Sequence, residues 1–98
     1  MIRQIRVLPE AESDILDAYR WYEERTEGLG SEFLRAVDAS LAFIRRNPLA
    51  YHRVHKDMRR VLLRKFPYGL FYVVESDVMV VLACFHVRRD PTRLPDRR

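Results

Sequence analysis

The sequence predicts an α+β domain in which an antiparallel helical hairpin packs on one face of a mainly antiparallel, four-stranded sheet. Three observations predict it. Apolar residues recur at helical spacing through the first half, at Ala11, Ile15, Ala18 and Tyr22 and again at Phe33, Val37, Leu41 and Ile44. After Pro48 the period shortens, and β-branched and aromatic residues crowd the segments Arg60 to Arg64, Leu70 to Glu75 and Val78 to His86. The chain has 98 residues, enough for one domain and too few for two cores.

Each element follows in order. Residues Ile2 to Val7 alternate apolar and polar, which predicts a short strand. Pro9 suits the first turn of a helix, where its missing N–H would have had no partner, and Glu10, Glu12 and Asp14 place negative charge at that helix's N-terminus. This first helix is predicted from Pro9 to Arg25, with Leu16 and Tyr19 widening its apolar stripe. Gly28-Leu29-Gly30 breaks it, Ser31 is a candidate cap for the second helix, and Asn47-Pro48 ends that helix, since a residue before proline disfavours helical backbone. The short linker predicts an antiparallel pair. Arg59 stands just before the strand Arg60 to Arg64, Pro67-Tyr68-Gly69 forms a turn, and Ser76-Asp77 joins the last two strands as a meander. The first strand is expected to pair with this meander, because alone it could not bury Ile5 and Val7. The whole of 1–98 reads as a single domain, with 87–98 a basic tail that Pro91 and Pro95 keep extended or loosely ordered.

Composition narrows the setting. The longest strongly apolar run, Val78 to Phe85, is far short of the roughly 20 residues a membrane-spanning helix needs. The N-terminus alternates charge with apolar residues, unlike a signal peptide. The lone cysteine, Cys84, suits a reducing cytoplasm. Charge is divided along the chain: residues 1–44 carry five Arg against nine Asp and Glu, net −4, whereas residues 45–98 carry thirteen Lys and Arg against five acids, net +8. The basic residues are nearly all arginine, whose planar fork suits carboxylate and phosphate alike, so an anionic partner is expected. A solvated basic surface is the plainer alternative.

Several short pieces occur in a telling order. They are Ala11, Asp14 and Ile15 with Trp21-Tyr22-Glu23; Gly28 through Phe33; Asn47-Pro48; Arg60 followed by Phe66-Pro67-Tyr68 and Tyr72; and His86 with Arg89, Pro91 and Arg97. In order, spacing and total length they resemble the RelE/ParE toxin superfamily. The resemblance implies a strand–helix–helix–three-strand fold, a growth-inhibiting toxin of a type II toxin–antitoxin pair, a cognate antitoxin held in a hetero-oligomer, and no cofactor or membrane partner. It also implies one of two targets. RelE-like members cleave mRNA in the ribosomal A site; ParE-like members inhibit DNA gyrase without cutting RNA. A third possibility is a binding module or co-repressor that keeps the fold without the toxicity.

The ribonuclease alternative defines a candidate set. Attack by a 2′-hydroxyl needs a base, cations at the crowded phosphate and an acid for the leaving oxygen. Asp57 or His55 is the candidate base, Arg60, Arg64 and Lys65 the cations, and His86 the acid. Period two places Arg60 and Arg64 on one face of their strand and gives His86 the parity of Cys84, Leu82 and Val80. For target or antitoxin binding the candidates are Arg59, Arg60, Arg64, Lys65, Arg88, Arg89 and Arg93, with Trp21 and Tyr22 as core or partner-contact aromatics. No tyrosine follows His86, and only Lys56 and Lys65 are lysines, a departure from RelE-like sites that favours the ParE-like alternative. His52-x-x-His55 near Asp57 lies in a segment read as irregular, so no metal site is expected.

Overall fold

The computed structural model describes residues 1–90, 92 and 97. Two helices pack on a five-stranded sheet: β1 (Gln4–Val7), α1 (Pro9–Arg25), α2 (Leu29–Arg46), β2 (Arg53–His55), β3 (Met58–Leu62), β4 (Tyr68–Glu75) and β5 (Val78–His86). The sheet order is β1-β5-β4-β3-β2. β1 lies parallel to β5, and the remaining neighbours are antiparallel. The α+β class and the helical hairpin match the sequence expectation. The count of four strands does not: the segment around His55, read as irregular, forms the short edge strand β2, whose pairing with β3 is broken between Arg53 and His55.

α1 begins at Pro9, as its missing N–H allows, with Glu10 and Glu12 in the first turn. α2 begins three residues earlier than Ser31 as its cap would set it, from Gly28 at φ 87°, a left-handed conformation that glycine adopts without steric penalty. Ser31 does not cap. Glu23 of α1 does so instead, its Oε2 accepting from the N–H of Gly28 and its Oε1 from the N–H of Gly30, both at 2.9 Å. Gly30 also permits the close approach of the helices, since a Cβ there would sit 2.7 Å from the Tyr19 ring and 2.8 Å from its carbonyl oxygen.

The helical side of the sheet carries the main core. Phe33, Val37 and Ile44 of α2 and Ala11 and Ala18 of α1 meet Val61, Leu70, Tyr72, Met79, Val81 and Cys84. Phe33 and Tyr72 are fully buried, each side chain worth roughly 1.5–3 kcal/mol of hydrophobic stabilisation. Tyr22, Phe33, Phe66 and Tyr68 form one aromatic cluster, with ring centroids between 4.9 and 6.0 Å apart. The opposite face holds a smaller core of Met58, Phe71, Val73, Val80, Leu82, Ala83 and Phe85, packed by Val54 and Leu8.

One irregularity fixes which residues face which side. Phe71 pairs with Ala83 but Tyr72 pairs with Val81, so Leu82 is an extra residue in β5. Beyond this bulge the alternation restarts. Cys84 lies on the helical side, while Leu82 and Val80 belong to the opposite core. The shared parity of Cys84, Leu82 and Val80 expected from period two is thereby broken.

Candidate functional site

The structure does not bring the candidate ribonuclease residues together. His86 closes β5 on the helical side, its ring edge-on to Tyr68 with centroids 5.4 Å apart and its Nδ1 accepting from the Arg88 N–H at 3.1 Å. Arg60 is opposite Phe71 on the other face of the sheet, and its side-chain stem lies across Gly69, where an added Cβ would meet it at 3.0 Å. β3 ends at Leu62, so Arg64 is outside the strand and does not share Arg60's face by period two; Lys65 follows at φ 68°. Asp57 and Lys56 form the β2–β3 turn. The β3 chain reaches the level of His86 only at Leu63, whose N–H donates to Tyr68, the register partner of His86. Six residues separate Asp57 from that level, about 20 Å of extended chain. His55 is opposite Met58, at the same distant end.

The other candidate residues are distributed as follows. Arg59 lies beside Tyr72, and its Nη1 donates to the Tyr51 carbonyl at 2.5 Å, which ties down the loop after α2. The Tyr72 hydroxyl donates to the Pro48 carbonyl in the same loop at 3.1 Å, and burial raises its pKa. Tyr22 belongs to the aromatic core, where burial likewise raises its pKa. Trp21 is 48% exposed, with the Arg25 guanidinium 3.3 Å over its ring. Arg88 is exposed, and Arg89 stacks its guanidinium 3.7 Å from the Phe85 ring. Arg93, Pro91 and Pro95 lie outside the described residues.

Three concave regions occur near these residues. An open cleft of about 310 Å³ between α1 and the end of β5 is lined by Asp14, Asp17, Trp21, Tyr68, His86 and Arg89 among others. Along α2 run two further cavities, of about 400 and 450 Å³, which share Ala36 and Arg64. Small residues make this groove: Ala36, Ala39 and Ser40 leave room between α2 and β3, with Phe43, Tyr51 and Leu62 as apolar walls. Its rim is basic, with Arg35, Arg46, Arg64 and Lys65 against the single acid Glu32. Phe43 and Leu62 are 42% and 52% exposed, apolar surface left uncovered beside that rim.

Sequence reasoning gave Asp14 no role in a site, although a signal was present. It lies three residues after Ala11 and four before Ala18, both buried, so the helical period puts its carboxylate on the packed face of α1. There its Oδ2 accepts from the backbone N–H of Cys84 at 3.1 Å and from Arg97 Nη1 at 2.8 Å. Burial, and then the negative Asp14, push the Cys84 thiol up to about 12. Among the described residues no group of three or more His, Cys, Asp or Glu is placed to hold a metal ion, and no helix is long and apolar enough to cross a membrane.

A helical hairpin packed on a five-stranded, mostly antiparallel sheet, with a basic-rimmed apolar groove along α2, defines a small α+β protein. Residues 5–91 match the family described as ParE toxin of type II toxin-antitoxin system, parDE, and the chain belongs to that family. The fold is similar to a solved structure described as the chromosomal ParDE TA system from P. aeruginosa, with a TM-score of 0.62 at 16% sequence identity, covering 85% of this chain and 94% of that one. A search of curated proteins found no match.

Proposed function

We propose that this chain arrests bacterial growth as a ParE-like inhibitor of DNA gyrase in the cytoplasm, that it does not itself cut RNA, and that a cognate antitoxin neutralises it within a hetero-oligomer. The observation that carries the reading is the placement of His86 and Arg60 on opposite faces of one sheet. An acid and a phosphate-binding cation of a single RNA-cleaving site must reach the same phosphate. A residue of the opposite sheet face cannot do so without refolding the strand.

The antitoxin's seat on this reading is the α2 groove. From Leu29 to Phe43 its wall extends about 20 Å at the helical rise, long enough for some four turns of a bound helix. Apolar walls and a basic rim fit an acidic amphipathic segment. The deciding experiment has two arms. Induced expression is expected to stop growth, and purified protein to inhibit gyrase supercoiling. Discrete breaks in translated mRNA by primer extension, with supercoiling untouched, would overturn the gyrase reading in favour of ribosome-dependent cleavage. Absence of any growth effect would point instead to a non-toxic binding module.

A further inference from the structure

Positive charge is concentrated in one stretch of the chain. Between Asp38 and Glu75 stand eight Lys and Arg and a single acid, Asp57. The fold divides most of these cations into two groups. Arg46, Arg64 and Lys65 reach the rim of the α2 groove, beside its apolar walls. Arg53, Lys56 and Arg59 belong instead to the β2–β3 hairpin, which turns at Lys56 and Asp57 on the edge of the sheet. Arg45 brings the basic C-terminus of α2 to the same end of the sheet, where its Nη2 donates to the Arg3 carbonyl at 3.3 Å.

Two features of the hairpin run against its own stability. Arg53 and Arg59 are register partners, and like charges directly opposite on neighbouring strands are destabilising. Arg59 relieves part of this by turning its Nη1 to the Tyr51 carbonyl, which leaves Arg53 exposed on the edge strand. Lys56 holds φ 52° in the turn, left-handed backbone that glycine and asparagine adopt more readily than lysine. Strained or repelling residues kept in this way point to a task outside the fold. An anion laid across the hairpin removes the repulsion. His52, Arg53 and Lys56 are exposed, while the apolar residues Val54 and Met58 pack into the smaller core. The outward surface is therefore charge without apolar contact, the reverse of the α2 groove.

We propose that the β2–β3 hairpin binds the backbone phosphates of duplex DNA, with Arg53 and Lys56 as the principal contacts and His52 as a neighbouring donor. Contact with phosphates needs fixed cations and no apolar surface, since it supplies affinity without reading bases. An acidic protein segment draws its hold from apolar anchors, which this surface lacks. Single-stranded nucleic acid draws its hold from stacking on large rings, and residues 52–65 contain no Phe, Tyr or Trp. Duplex DNA presents a stiff row of charge, roughly one per 1.7 Å of its axis, that a hairpin with a few cations can meet. The inference concerns a surface other than the α2 groove and holds whatever the cellular target.

The test is made on the full chain with a labelled, mixed-sequence duplex of about 25 base pairs, read by fluorescence anisotropy across about 50–200 mM salt. The native chain is expected to bind with an affinity that falls steeply with salt and is indifferent to sequence. Arg53→Gln/Lys56→Asn removes two cations and leaves at the turn a residue suited to left-handed backbone. It is expected to bind at least about tenfold more weakly at low salt, with the slope of log K against log salt smaller by roughly 1.8, about 0.9 for each phosphate contact. Arg64→Gln/Lys65→Asn makes the same change of charge at the groove rim, again with the lysine at positive φ, and is expected to bind like the native chain. Equal weakening in the two double variants overturns the proposal, because binding would then follow net charge rather than the hairpin. So does a native chain that leaves the duplex unbound at the lowest salt, or one that binds a single strand of the same length more tightly. If circular dichroism shows the first double variant unfolded, Arg53→Gln alone carries the test from an exposed edge position, with a slope change of roughly 0.9. Growth arrest and gyrase inhibition are measured separately, and their absence bears on the proposed function while leaving the DNA result unchanged.

Discussion

His86 and Tyr68 are register partners at the β4–β5 end of the sheet, and their rings meet edge-on, 5.4 Å between centroids. The same histidine accepts the Arg88 N–H through Nδ1, a local turn contact that sets the chain's direction as it leaves β5. Both are structural relationships, which bears on the first prediction. His86→Gln keeps an acceptor and a side chain of similar reach but cannot transfer a proton near neutral pH. Growth arrest on induction is expected to persist at near-native strength in this variant. A His86→Gln protein that folds and has lost its toxicity would argue for proton transfer at this position.

The groove along α2 yields a second prediction. Arg64 lines both of its cavities, so Arg64→Glu places a repulsive charge where an acidic segment would lie. On the proposed reading, copurification with a cognate antitoxin is expected to weaken at least tenfold, about 1.4 kcal/mol or more. The fold should be unaffected, because the side chain belongs to neither core. Arg60→Glu, on the other face of the sheet, is the comparison expected to bind normally; equal loss in both would relocate the interface.

Helix crossing sets a third. Gly30→Ala forces a Cβ to within 2.7 Å of the Tyr19 ring and 2.8 Å of a backbone oxygen that cannot swing away. Overpacking of this kind costs typically about 1–3 kcal/mol. Urea denaturation should show a lowered midpoint with an unchanged slope. Glu23→Ala, which frees the N–H groups of Gly28 and Gly30, is expected to lower stability by about 1 kcal/mol through loss of the α2 cap.

Cys84 sets the last. Its thiol is raised from 9.0 to about 12 in the folded chain, so between those values the unfolded chain has released a proton that the folded chain retains. Stability from this group is therefore complete below about pH 9 and declines as pH rises toward 12. The raised phenols of Tyr22, Tyr68 and Tyr72 act in the same sense at higher pH. Alkaline unfolding midpoints should fall accordingly, and Cys84→Ala should remove part of the decline. Thiol reagents at neutral pH are expected to label Cys84 only after unfolding.

The helices and the class of the fold were legible in the sequence because a period of 3.6 and a proline at Pro9 act within a few residues of chain. A crowding of β-branched and aromatic residues likewise marked the strands Leu70 to Glu75 and Val78 to His86, and the family resemblance rested on short pieces whose order survives in a linear reading. The strand count was less legible: β2 is three residues long and exists only because β3 offers it an edge. What the site contains was decided by tertiary structure. A single extra residue at Leu82 restarts the alternation of β5, because one inserted residue reverses every side chain that follows. The β3 strand stops at Leu62, which detaches Arg64 from the face that holds Arg60. And the pairing of Asp14 with Arg97, 83 positions apart, depends on where β1 stops covering β5. Local periodicity thus determined what each segment is; which side chains meet depended on register, and register is a property of the assembled sheet.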